Sequence, residues 1–125
     1  MLLDTDVLIW FLRGNARAAD LMENCEQCSL SVVSYMELVQ GARSRAEALR
    51  IRRTLRTLEI RTLDLSASIG TLAAYFVESF AQSHRLRLED ALIAATAAEA
   101  GLPLVTGNAR YFAVLPKLEI VAFQP

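Results

Sequence analysis

Apolar positions along this chain change their period repeatedly, and each change marks an element. Residues 2–4 form a short apolar run that reads as a strand, and a helical pattern over 6–13 follows, closed by Gly14. A second helix is expected over 16–26. CSLSVV (28–33) has strand character, and a helix then starts at Ser34 and runs to about Ala42. A longer helix spans about 44–58, with Ile60–Leu63 a further strand. Helix returns at about 66–82 and at about 88–100, where Gly101 ends it and Pro103 lies beyond. LPLVT (102–106) reads as a strand, Ala109–Val114 as a short helix and LEIVAF (118–123) as a last strand. No repeat, low-complexity tract or Pro/Gly-rich linker divides the pattern, so one domain is expected. Strands alternating with helices imply an α/β fold: a short, mostly parallel sheet with helices on both faces. In such folds sites form beyond the carboxyl ends of the strands.

Composition narrows the function classes. Hydrophobic residues make up 54% of the chain and charged residues 22%, which excludes a disordered protein. The 13 basic and 14 acidic residues nearly cancel, so bulk charge does not announce a nucleic-acid binder. All the basic residues except Lys117 are arginine, the side chain suited to bidentate phosphate and carboxylate contacts. No run is long and apolar enough to span a membrane, and the first residues lack the basic n-region of a signal peptide, so a cytoplasmic protein is expected. Cys25 and Cys28 have CxxC spacing, but no second pair exists to complete a zinc site; both read as small core residues. His84, the single histidine, lies in the polar stretch Ser83-His84-Arg85, which leaves no serine–histidine or cysteine–histidine nucleophile.

Carboxylates, by contrast, recur at strand ends. Asp4 follows the first strand, Glu37 lies one helical turn beyond the second, and Asp90 lies near the start of the helix in RLEDALIAATAAEAG. Thr106 and Asn108 follow the strand LPLVT. Each acid also has an ordinary structural role. Asp6 reads as the N-cap of the first helix, whereas Asp4 lies two residues too early to be that cap. Ser34-x-x-Glu37 has capping-box spacing, and Asp90 can complement a helix dipole. Asp90, Ala94, Ala97 and Ala98 share a helix face whose small residues permit close approach of a neighbour, and plain helix packing explains that face equally well. The shared local order (apolar segment, turn, acid, apolar helix) favours a common site. Hard oxygen ligands without histidine or cysteine suit magnesium or manganese. Such a cation would offset the mutual repulsion of the acids and activate a water for attack on a phosphodiester.

These segments resemble a known family. LLDTDVLIWFLRG, SVVSYMELVQGAR, LEDALIAATAAEAGLPLVTGNARYF and LEIV, in this order and spacing, resemble the PIN-domain ribonucleases of the VapC type, the toxins of toxin–antitoxin modules. The resemblance covers nearly the whole chain. It implies a PIN-like three-layer sandwich of four or five strands and a Mg2+- or Mn2+-dependent endoribonuclease site built on Asp4, Glu37 and Asp90. Thr106 and Asn108 match the family's polar pair after the fourth strand. Many relatives carry another acid just before the phenylalanine of that motif, where this chain has Tyr111. Asp6 is then a reserve ligand. The resemblance also implies a homodimer, an RNA substrate and a small cognate antitoxin that inserts into the active-site groove. Arg45, Arg52 and Arg56 share one helix face and are candidates for contact with RNA phosphates or with the antitoxin. Two other readings compete. One is a PIN domain that binds RNA or protein without cleaving. The other is a receiver-like phosphoacceptor domain with Asp64 as the modified residue; it fits poorly because Lys117 follows Pro116 with no helix start to present it.

Overall fold

The computed structural model describes all 125 residues. Five strands, β1 (Leu2–Leu3), β2 (Ser29–Ser31), β3 (Arg61–Leu63), β4 (Leu104–Thr106) and β5 (Ile120–Ala122), form one sheet in the order β3-β2-β1-β4-β5. Every neighbouring pair is parallel, with Leu2 opposite both Ser29 and Leu104. Receiver domains are built on a different strand order, 2-1-3-4-5, which removes the phosphoacceptor reading.

Seven helices connect the strands: α1 (Thr5–Leu12), α2 (Ala16–Asn24), α3 (Val32–Gln40), α4 (Arg45–Thr57), α5 (Ala67–His84), α6 (Leu88–Ala100) and α7 (Ala109–Phe112). Side chains along a strand alternate between faces, and the core divides accordingly. Leu2 and Leu104 join Phe76, Ala91, Ile93, Ala94 and Phe112 on one face. Leu3 and Val105 join Val7, Leu8, Ala18, Leu38, Ile51 and Leu55 on the other. Ala91, Ala94, Ala95 and Ala97 of α6 are buried, and α6 packs mainly against α5. No helix is long and apolar enough to cross a membrane.

Three local readings are corrected. Helix α1 begins at Thr5, so Asp4 is its N-cap: the Asp4 carboxylate accepts from the Thr5 N–H, and Asp6 sits inside the first turn. Helix α3 begins at Val32, directly from the strand, because Ser31 both ends β2 and caps the helix by accepting from the Val33 N–H. Ser34 is therefore buried within the helix, and its capping box with Glu37 does not form. Finally, Cys25 and Cys28 are not free core residues. The turn after α2 brings their Cα atoms to 5.9 Å and they form a disulfide, with both residues half-buried.

Candidate metal centre

Backbone pairing extends past the formal end of β1. The Asp4 N–H donates to Val105 O at 2.9 Å, which ties the first residue of the site into the sheet. Asp4 is only 7% exposed. Its Oδ1 accepts from the Thr5 N–H and its Oδ2 from the Thr106 hydroxyl, each at 2.8 Å. Thr106 Oγ1 in turn accepts from the Asn108 N–H at 3.0 Å, so Thr106 is a buried strut between strand β4 and Asp4. Asn108 lines the pocket, and its side chain makes no cap bond to α7.

The other acids arrive from α1, α3 and α6. Thr5, placed between the two aspartates, lies 2.8 Å from Glu37 Oε1 and 3.0 Å from Ser34 Oγ. A threonine hydroxyl has one hydrogen and an ionised carboxylate can only accept, so Thr5 donates to Glu37 while the Ser34 hydroxyl donates to Thr5. Asp6 Oδ2 accepts from the Gly107 N–H at 2.9 Å, and its Oδ1 is buried with no hydrogen-bond partner. Asp90 Oδ2 accepts from the Tyr111 hydroxyl at 2.9 Å. Asp4, Asp6, Glu37, Asp90, Asn108 and Tyr111 line a single pocket of about 270 Å³.

The electrostatics match an incomplete charge set. Asp4 is pushed up to about 7, first by burial and then by the charge of Asp6, against the hydrogen bonds from Thr106 and Thr5. Asp6, Glu37 and Asp90 are each raised as well, all chiefly by burial. Four carboxylates compressed into one pocket, with one buried oxygen unpartnered, form a site that lacks positive charge. The donors are all oxygen, which fits a hard divalent cation. No three of the acids close into a cage that grips a bare ion.

Gly107 is needed for this arrangement. A Cβ at this position would run into Asp6 Oδ2. Gly107→Ala is expected to weaken Mn2+ binding about tenfold, as loss of an outer-shell partner does, measured by calorimetric titration. Its melting temperature should change little, since the displaced atoms are the end of a side chain.

The predicted arginines lie elsewhere. Arg45, Arg52 and Arg56 are exposed on α4, and Arg52 and Arg56 flank a depression lined by Val32, Tyr35 and Ile60. A larger groove, about 570 Å³, leaves the acids at Glu37 and Ile9 and runs between α1, α3 and α4. Leu12, Leu38 and Ile51 line it together with Arg13, Arg43 and Arg50. Thr5, Gly107 and Arg87 were not singled out from the sequence. Their only signal is adjacency to an acid or a strand end.

A parallel sheet gathers acids and hydroxyls at its carboxyl edge, without a histidine or cysteine among them, a donor set suited to hard cations. The chain belongs to the PIN domain family, whose sequence profile matches residues 1–118. It is similar to Ribonuclease VapC10 of Mycobacterium tuberculosis, 34% identical over 123 residues that cover 95% of this chain and 90% of that one. Ribonuclease VapC19 of the same organism is 33% identical over 124 residues, covering 94% and 96%. Among solved structures, a toxin–antitoxin complex from Klebsiella pneumoniae matches with TM-score 0.79 and 30% identity, over 97% of this chain and 95% of that one. VapBC2 from Rickettsia felis, bound to a promoter DNA fragment, shares the fold at TM-score 0.82 and 18% identity, over 98% of each chain. The expected PIN-like three-layer sandwich is therefore the fold, with all five strands parallel.

Proposed function

We propose that this chain is a divalent-metal-dependent endoribonuclease, the toxin of a toxin–antitoxin pair, that hydrolyses RNA phosphodiesters at the Asp4–Glu37–Asp90 pocket. The supporting observation is the convergence of these acids, with Asp6, in one pocket at the carboxyl edge of a PIN-domain sheet. Asp4 and Asp90 are the residues to hold Mg2+ or Mn2+, with Glu37 and the unpartnered Asp6 oxygen beside them. A cation bound there supplies an activated water and offsets the charge that grows on the phosphodiester. Thr106 fixes Asp4 at the strand end, and Thr5 fixes Glu37 through Oε1. Glu37 then has a second oxygen to take the proton of the attacking water. Asn108 lines the pocket where the scissile phosphate would lie.

The groove from Glu37 suits the antitoxin, because its apolar lining and arginine rim match an amphipathic segment carrying acidic residues. The exposed Arg45, Arg52 and Arg56 are a second candidate surface for RNA phosphates or the antitoxin. A homodimer acting in the cytoplasm completes the proposal.

The deciding experiment incubates the protein with a panel of structured RNAs in Mn2+ or Mg2+, and again in EDTA. Cleavage with metal, its loss in EDTA and its loss in Glu37→Gln are expected. Tyr111 at the position of a relative's acid favours one alternative, a PIN domain that binds without cutting. Absence of cleavage by the wild type across the panel would establish that alternative.

A further inference from the structure

Tyr111 occupies the place of a missing acid, yet it is bonded into the site. Its ring meets the buried Phe112 edge-on, with centroids 5.0 Å apart, which anchors it on α7. Its hydroxyl makes two bonds of 2.9 Å: it donates to Asp90 Oδ2 and accepts from the Arg87 N–H. Arg87 is the N-cap position of α6 and makes no side-chain cap bond, so Tyr111 pairs a main-chain donor at a helix start that has no capping side chain. The same hydroxyl lies 3.5 Å from Arg85 O, at a turn where Arg85 adopts a left-handed conformation with φ 55°. One phenol thus joins α7, the α5–α6 turn and Asp90. Asp90 Oδ1 makes no hydrogen bond within the protein, and Arg87 is exposed, with Nε 3.4 Å from Glu89 Oε2.

We propose that Tyr111 is a positioning residue that holds Asp90 for the cation. It fixes the carboxylate through Oδ2 and leaves Oδ1 without a hydrogen bond from the protein. This inference rests on the reading of the pocket as a metal centre.

The test is Mn2+ binding without RNA, by calorimetry and electron paramagnetic resonance, on wild type and Tyr111→Phe. Wild type should bind Mn2+. Tyr111→Phe keeps the ring and its packing, and should bind about tenfold more weakly while remaining folded. Addition of Mg2+ should change the tyrosine ultraviolet absorbance of wild type, and that change should vanish in Tyr111→Phe. In cleavage assays kcat should fall more than KM rises, because the cation that Asp90 would hold acts at the reacting phosphate and not in remote binding. Equal Mn2+ affinity in the two proteins would overturn the role of Tyr111 and leave the nuclease reading intact. A wild type that binds no Mn2+ would overturn both.

Discussion

Asp4→Asn is expected to lower kcat/KM for RNA cleavage by about a thousandfold, the scale on which an enzyme loses a group that stabilises transition-state charge. The same substitution is expected to leave melting in EDTA unchanged or higher. Asparagine keeps an oxygen to accept from the Thr5 N–H, so the cap on α1 survives. Its amide faces Thr106 in place of a carboxylate, and the hydroxyl can accept there as well as donate. Removing the charge relieves the burial cost and the repulsion from Asp6 and Asp90 that raise Asp4 in the wild type. Activity and stability should therefore move apart in one variant. A melting loss of many degrees, or retained cleavage, would show that Asp4 is a cap and nothing more.

The metal-free protein is expected to become less stable as pH rises from 4 to 8, and a divalent cation is expected to reverse the trend. Asp4 has a folded value of about 7 against an ordinary 3.8, so the folded state binds its proton more tightly than the unfolded chain does. The stabilisation is fully present below about pH 4 and is lost as pH rises through about 7. At ~1.4 kcal/mol per unit, Asp4 alone accounts for a few kcal/mol at most. Asp6, Glu37 and Asp90 are raised too and act in the same direction. A cation stabilises the ionised cluster, so Mg2+ should raise the melting temperature more at pH 8 than at pH 5. Thermal melts in EDTA and in Mg2+ across this range measure both trends; a flat EDTA series would refute the charge-poor site.

Sequence pattern carried the element order and the three acids because both follow from strong signals. Short apolar runs and alanine-rich helices differ in period; Asp4 and Glu37 follow strands, and Asp90 stands in the first turn of a helix. Local offsets were harder to read. Asp4 and Asp6 are both plausible caps on composition, and the hydrogen bond of Asp4 to Val105 O, made across the sheet, decides where α1 begins. Val32 and Val33 look like strand, yet the chain turns at Ser31 because the strand ends there and the helix must start at once to present Glu37. Tyr111 was legible as a departure from its relatives, but its partner Asp90 lies 21 residues away, and no local pattern encodes that bond. The Cys25–Cys28 pairing depends on a turn whose geometry spacing alone does not give.

The central strand has an implication for synthesis. β1 contributes only Leu2 and Leu3, and its second neighbour is β4, so Asp4 and Thr106 meet across 102 residues. A nascent chain that has not yet released β4 from the ribosome has the first acid held only by its helix cap, without Val105 and Thr106. Loop closure of that length is slow compared with local helix formation. The edge that gathers the acids is thus among the last parts to assemble, and the candidate site stays incomplete until β4 has left the ribosome.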